Sequence, residues 1–432
     1  MPKIVRDYQG QESNVLLQKI DKNEISQRAT PPVDAEAEST VRGIINDISK
    51  RGEDALYEYS VKFGDVEKGA PLIIPREKLK EAAASISKED AALLKRTASR
   101  IEAFARAQMS SVHEMAIPIP GGKAGHRIAP VERACCYAPG GRFPLPSSVL
   151  MTAITARVAG VGEVWVTSPR PVPITLAAAY YSGADGFAAV GGAQAVAAFA
   201  YGAGKIPACD IIVGPGNKYV TAAKKLVSGH VAIDMLAGPS ELTVLADDTA
   251  NPATVAADLL AQAEHDVVAV PILVTTSEGL IDKVNGELES QLAELTTFET
   301  ASESLKNGFA VHVESVEEGV AICNQLGPEH LEILTADAAA VAKKCNNYGG
   351  LFIGEGTAEV FGDYGAGPNH TLPTGGTSRY TGGLSVFDFL RIRTWIEISD
   401  DVSAQTLVKD AARLAELEGL DGHRRSALRR QK

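Results

Sequence analysis

Two hydrophobic periods alternate along the chain. From about Asp34 to Phe63, and again from Pro75 to Gln108, apolar residues recur at helical spacing among charged ones, which predicts helices. The centre changes character. Short apolar runs now end in Gly or Pro: "ERACCYAPGG", "EVWVTSP", "DGFAAVGG" and "CDIIVGPGN". Each is followed by a helical stretch, namely "SSVLMTAITARVAG", "ITLAAAYYSG", "AQAVAAFAYG" and "KYVTAAKKLVSG". Such β-α alternation predicts a parallel sheet with helices packed on it. A second series follows, with strands "ELTVLAD", "VPILVTTS", "GFAVHVES", "HLEILTA" and "GGLFIGE" separated by further helical runs. The break between the two series falls near Gly238-Pro239. After Ser385 the pattern turns helical again and ends in the basic stretch "HRRSALRRQK". No short repeat and no low-complexity linker interrupts it. The expected class is α/β: two parallel-sheet domains, a helical N-terminal segment and a C-terminal helical tail.

Composition narrows the partners. Of 432 residues, 45% are hydrophobic and 22% charged, ordinary for a water-soluble globular chain. A net charge of −12 disfavours nucleic acid and anionic membrane, both of which reward a basic face. The first residues lack the basic start and apolar core of a secretory signal. The uncharged run from Gly186 to Gly204 is too rich in Gly and Ala to read as a membrane span. Five scattered cysteines, at 135, 136, 209, 323 and 345, form no C-x-x-C pair. They read as small buried hydrophobes in a reducing cytoplasm.

In open α/β sheets, ligands bind beyond the carboxyl ends of strands, so informative residues are expected just after each strand. Tyr137 lies in such a place, as do Gln194 and Asn217 on first helical turns. A phosphate suits those helix starts. The glycine fingerprint G-x-G-x-x-G is absent, because "GPGNKYV" lacks its third glycine, and no P-loop is present. Gln262 and His265 stand three apart on one predicted helix face. Asp363 and His370 share the polar loop "FGDYGAGPNHTLPT", and "ELEGLDGHRR" offers Glu418 and His423. An imidazole, carboxylate and amide set suits a divalent ion such as zinc with open positions. In "NQLGPEHLEIL", Glu329 and His330 are adjacent at the start of a strand. Neighbours in an extended chain point to opposite sides, which suits two separate proton transfers. His113, His126, His230 and His312 have no motif around them and read as structural or exposed.

Together these blocks resemble histidinol dehydrogenase from about Arg6 to the C-terminus. "YAPGGRFPLPSSVLM", "DIIVGPGNKYV", "AIDMLAGPSELTVLAD", "DLLAQAEHD", "GPEHLEI", "GDYGAGPNHTLPTGG" and "EGLDGH" carry the resemblance. It implies a zinc-dependent homodimer with shared active sites that uses NAD to oxidise the amino alcohol L-histidinol to L-histidine through the aldehyde. By the same resemblance, Glu329 and His330 are the catalytic pair, and Gln262, His265, Asp363 and His423 bind zinc, with His423 supplied across the dimer. Those four and His330, with Ser240, His370 and Glu418, contact substrate, while Tyr137, Gln194 and Asn217 face NAD. Both sheet domains are then incomplete Rossmann-like folds. The implied division is an N-terminal segment 1–33, a catalytic domain 34–130 plus 239–384, an NAD-facing domain 131–238 and a tail 385–432. Other readings are a relative on this scaffold oxidising another small polar alcohol, such as a sulfonated diol, or a non-catalytic zinc-binding dimer. Glu418 favours histidinol, because a carboxylate there meets an ammonium group and repels an anion.

Overall fold

The computed structural model describes residues 16–27, 33, 35–140 and 144–432. The described chain opens with strand β1 (Gln18–Ile20) and a 3-10 turn (Lys22–Gln27). Helices α1 (Ala35–Arg51) and α2 (Glu53–Lys62), strand β2 (Ile73–Ile74), and helices α3 (Arg76–Ser85) and α4 (Lys88–Met109) follow. Ser87 starts α4 by accepting from the Asp90 N–H, which satisfies one of the otherwise unpaired first-turn donors. A hairpin of β3 (Met115–Ile119) and β4 (Gly122–Pro130) leads into the first alternation. This runs β5 (Arg133–Tyr137), α5 (Pro146–Val158), β6 (Glu163–Thr167), α6 (Pro173–Tyr181), β7 (Gly186–Ala188), α7 (Gly192–Tyr201), β8 (Ile211–Val213), α8 (Lys218–Val227), β9 (Ala232–Ile233).

The second alternation is β10 (Glu241–Ala246), α9 (Pro252–Ala263), β11 (Val270–Thr275), α10 (Glu278–Leu292), α11 (Phe298–Ser304), β12 (Phe309–His312), α12 (Val316–Leu326), β13 (His330–Leu334), α13 (Ala338–Ala342), β14 (Gly350–Ile353), α14 (Val360–Asp363). The chain closes with β15 (Leu390–Ile398), α15 (Gln405–Leu417) and α16 (Asp421–Leu428).

Two six-stranded sheets result, ordered β2-β7-β6-β5-β8-β9 and β1-β12-β11-β10-β13-β14. The second is parallel throughout, and the first is parallel except at its edge strand β2. Both faces of the second sheet are covered. Leu242, Val244, Ala246 and Leu334 join one apolar cluster with Val255 and Leu259 of α9, while Leu245, Leu331 and Ile333 join another with Val320 and Ile322 of α12. That is period-two alternation in strands buried on both sides. His330 and Glu332 therefore point to the α9 face. No helix among the described residues is long and apolar enough to cross a membrane.

Three elements depart from expectation. The described part of the N-terminal segment is a strand and a 3-10 turn, not α-helix; residues 1–15 and 28–32 of that expectation lie outside the described residues. Gln18–Ile20 pairs in parallel with Phe309–Val311, and Leu17 and Ile20 are buried there. Apart from a 3-10 turn at Val386–Phe389, the tail is helical only from Gln405. Before that, β15 pairs antiparallel with β4, and β3 completes a three-stranded sheet. "RIRTWIEI" carries the period-two pattern of a strand with a wet face. Finally, α1 to α4, grouped above with residues 239–384, share their cores with the first sheet. Ala37, Val41, Ile48 and Leu56 cluster with Cys135, Tyr137 and Phe199, and Leu79, Leu94 and Ile101 cluster with Val149 and Phe187.

Candidate active site

Within each β-α alternation the strand order reverses, between β5 and β8 and between β10 and β13. Such switch points open crevices at strand ends. In the first sheet the expected residues lie at the carboxyl ends. Tyr137 closes β5, Gln194 sits in the first turn of α7, and Asn217 caps α8 by accepting from the Tyr219 and Val220 N–H groups. Tyr137 and Gln194 are nearly sealed from solvent. The Gly192 N–H donates to the Tyr137 hydroxyl (3.0 Å), and Gln194 Nε2 donates to the Asp65 carboxylate (2.7 Å). Beside them, Lys224 and Asp234 form an ion pair with side chains 2% and 0% exposed. Both grip Gly214: Lys224 Nζ donates to its carbonyl (3.0 Å), and its N–H donates to Asp234 Oδ2 (2.7 Å). A charge pair so buried repays its desolvation only when its remaining hydrogen bonds are met, as here.

In the second sheet the arrangement inverts. Ser240, Glu329 and His330 stand at the amino ends of β10 and β13, and Gln262 and His265 sit at the C-terminal end of α9. Local sequence explains the entry. Helix α12 stops at Gly327, whose φ of 57° suits glycine and whose N–H closes the helix on the Cys323 carbonyl (2.9 Å). Pro328 cannot extend the helix, so the chain turns directly into Glu329 and β13.

His330 is buried, with a polar side chain on each of three sides. Its Nδ1 lies 3.0 Å from Gln262 Oε1. A carboxamide oxygen only accepts, so Nδ1 carries the proton and Nε2 is left as the acceptor. Glu359 Oε1 lies 3.5 Å from that Nε2, and Glu329 Oε2 lies 3.9 Å from Nδ1. The expected divergence of Glu329 and His330 is therefore small. Glu329 precedes the regular strand and is anchored by the Glu241 N–H (3.0 Å), so it does not follow the pleat. Burial pushes the His330 pKa down to about 4, so the ring is neutral at physiological pH. Burial pushes Glu329 well up, and Glu241 up to about 7.

The metal candidates gather beside this imidazole. His265 Nε2 is 3.3 Å from Asp363 Oδ2, and His265 Nδ1 is 3.5 Å from Gln262 Nε2. Burial opposes the His265 cation, but the Asp363 carboxylate outweighs it and raises the pKa. His370 Nδ1 donates to the Asp363 carbonyl (3.0 Å), and its Nε2 meets Ser148 Oγ of α5 (3.2 Å), tying the loop to the first sheet's helices. Donor atoms of His330, Glu359 and Asp363 lie within 4.8 Å of one another. Neither carboxylate oxygen of buried Glu359 has a hydrogen-bond partner among the described residues. Unpaired buried carboxylates are costly, and a divalent cation among these groups would offset that cost. The donor set therefore fits a metal ion. Glu418 and His423 are not brought to this cluster within the chain. They are exposed and face a cleft of about 370 Å³ lined by residues of α15 and α16 and of the segments that follow each helix.

Several residues escaped the sequence reading. Glu359 lies one helical turn before Asp363, a spacing visible in "AEVFGDY". Glu332 is a charged residue inside the buried strand "HLEIL", and Asp258 lies one turn before Gln262 on α9. Burial raises the pKa of both Asp258 and Glu332, which face each other behind His330. The cysteines are free and buried, and burial lifts Cys136 to about 12, so no thiol is poised to react.

A family model described as histidinol dehydrogenase matches residues 27–431. The histidinol dehydrogenase of Thermus thermophilus is 44% identical over 395 residues, covering 91% of this chain and 94% of that protein. That of Lactococcus lactis is 40% identical over 427 residues, covering 97% of each. The crystal structure of histidinol dehydrogenase from Elizabethkingia anophelis superposes with a TM-score of 0.89 at 32% identity, covering 96% of this chain and 98% of that one. Likeness at this coverage takes in both sheets, the loops around His330 and the tail, and the chain belongs to the histidinol dehydrogenase family.

Proposed function

We propose that this chain oxidises L-histidinol to L-histidine with NAD, in two steps through the aldehyde, at the cluster around His330. One observation carries the reading: a sealed, neutral imidazole with its protonated nitrogen fixed by Gln262, beside both a buried carboxyl and the His265–Asp363 pair. His330 Nε2 takes the alcohol proton while hydride leaves the carbon, giving the aldehyde. Water then adds to that aldehyde: Glu329 takes the water proton while His330 returns its proton to the aldehyde oxygen, which gives the hydrate and leaves the imidazole neutral again. Burial raises the pKa of the Glu329 carboxyl, which makes it a stronger base once ionised. His330 accepts the hydroxyl proton of the hydrate in the second oxidation, and hydride leaves again to give the acid. NAD supplies the hydride acceptor in both steps, and Tyr137, Gln194 and Asn217 mark the strand ends that receive it.

Gln262, His265 and Asp363, with His423 of the partner subunit, would hold zinc. A bound zinc orients the amino alcohol and favours its deprotonated form. Ser240, His370 and the partner's Glu418 are assigned to substrate. The tail supports a homodimer with shared sites, because Glu418 and His423 are exposed and their own chain's cluster lacks them. Five free thiols agree with a reducing cytoplasm.

Comparing kcat/KM for L-histidinol with that for other small alcohols, a sulfonated diol included, tests the substrate. L-Histidinol should lead by at least roughly 100-fold, since an unmet ammonium contact leaves a carboxylate unpaired. A higher value on the sulfonated diol would overturn the assignment.

A further inference from the structure

Arg170 has a φ of 46°, the only positive value at a non-glycine among the described residues. It lies between Pro169 and Pro171, and a residue before proline is steered toward extended backbone. The left-handed conformation is therefore held against local preference, a kind of strain that clusters at functional sites. Packing supplies the hold. A Cβ on Gly140 would meet the Pro169 carbonyl at 2.3 Å, and one on Gly191 would meet Pro169 Cγ at 2.5 Å. Gly140 follows β5, Pro169 follows β6 and Gly191 follows β7. Three strand-end loops are thus locked together at Pro169, and Arg170 emerges where they meet, exposed, with Nη2 donating to the Gly140 carbonyl (3.2 Å).

The first amides of α7 are already used. The Gly191 N–H donates to Asp65 (3.1 Å) and the Gly192 N–H to the Tyr137 hydroxyl. Glycine-rich dinucleotide sites receive the pyrophosphate on such amides. Here a carboxylate stands in that place. Burial raises the Asp65 pKa, and the nearby Arg170 charge opposes the rise. A diphosphate approaching this edge requires a cation that the helix start does not provide.

We propose that Arg170 is a binding contact for the diphosphate of the dinucleotide, presented by the Pro169 lock at the carboxyl ends of β5, β6 and β7. This rests on the reading that those strand ends face NAD. Arg170→Gly suits the positive φ and keeps the fold. It should raise the KM for NAD roughly tenfold, as loss of a charge-assisted contact does, with the effect on KM rather than kcat. Arg170→Lys should recover part of the loss, keeping the charge without the planar fork. ADP and adenosine serve as probes competing with NAD. The glycine variant should weaken inhibition by ADP and leave inhibition by adenosine unchanged. If ADP competes with NAD in the wild type and both bind the glycine variant within about twofold of wild type, the proposal is overturned and the NAD reading stands. If the wild type neither consumes NAD nor binds ADP, the underlying reading fails and the proposal falls with it.

Discussion

His330→Asn should lower kcat by about 10²–10⁴, the usual contribution of a positioned base. Asparagine fits the space and can still meet Gln262, but its side chain has no nitrogen that accepts a proton. Both oxidations should slow, because each requires a proton to leave a hydroxyl. The wild-type imidazole is held neutral, with a pKa pushed to about 4 by burial. The base form is therefore present above that pH and lost below it. The acid limb due to His330 should fall well below the ordinary imidazole value near 6.5. Steady-state kinetics with L-histidinol from pH 5 to 9 measure both effects. A loss of less than about tenfold in the variant would remove His330 from the role of base.

Removal of metal should abolish turnover, and zinc should restore it. The motive is the convergence of His265, Asp363 and Gln262 beside Glu359, whose carboxylate has no hydrogen-bond partner among the described residues. His265→Ala and His423→Ala should each cost roughly 100-fold or more, since outer-shell groups alone cost 10–100-fold. Mixed dimers extend the test to the tail. Pairing a His265→Ala chain with a His423→Ala chain leaves one intact site if the sites are shared. About half of the activity should then return, by the symmetry of an isologous dimer. If each chain owns its whole site, the mixed dimer should stay as inactive as its parents. Full activity in metal-free protein would end the zinc assignment. Metal binding should also raise the thermal midpoint, because a ligand of the native state stabilises it by mass action.

Much of the fold was legible because strands and helices of an α/β chain carry different periods. The β-α series from 131 to 353 could be read run by run. The Q-x-x-H pair was legible as a spacing but not as a helix face, since α9 ends at Ala263 and His265 lies two residues beyond it, where it still reaches Gln262. What joins α9 to β13 was not. Gln262 meets His330 only because parallel strands force α9 to run backward, which brings its C-terminal end to the amino end of β13. Tyr137, Gln194 and Asn217 lie where the carboxyl-end rule looks, at the strand ends of the first sheet, whereas Ser240, Glu329 and His330 stand at the amino ends of β10 and β13 in the second. The sheet that α1 to α4 cover was also hidden, since an amphipathic helix fits any apolar face of the right width. Strand β15 was readable in its alternation and was obscured by the helical runs that follow. Glu359 and Glu332 left a signal, an acid one turn from Asp363 and an acid within a buried strand. Sequence alone does not tell such an acid from one facing water.

The central claim is that one site carries an alcohol through to an acid, taking four electrons. The most direct measurement supplies limiting L-histidinol with excess NAD to the zinc-loaded protein and counts NADH at completion. The account predicts two NADH and one L-histidine per L-histidinol consumed, with aldehyde accumulating only when Glu329 is replaced by Gln. One NADH per alcohol with aldehyde released by the wild type, or no NADH from L-histidinol at all, would contradict it.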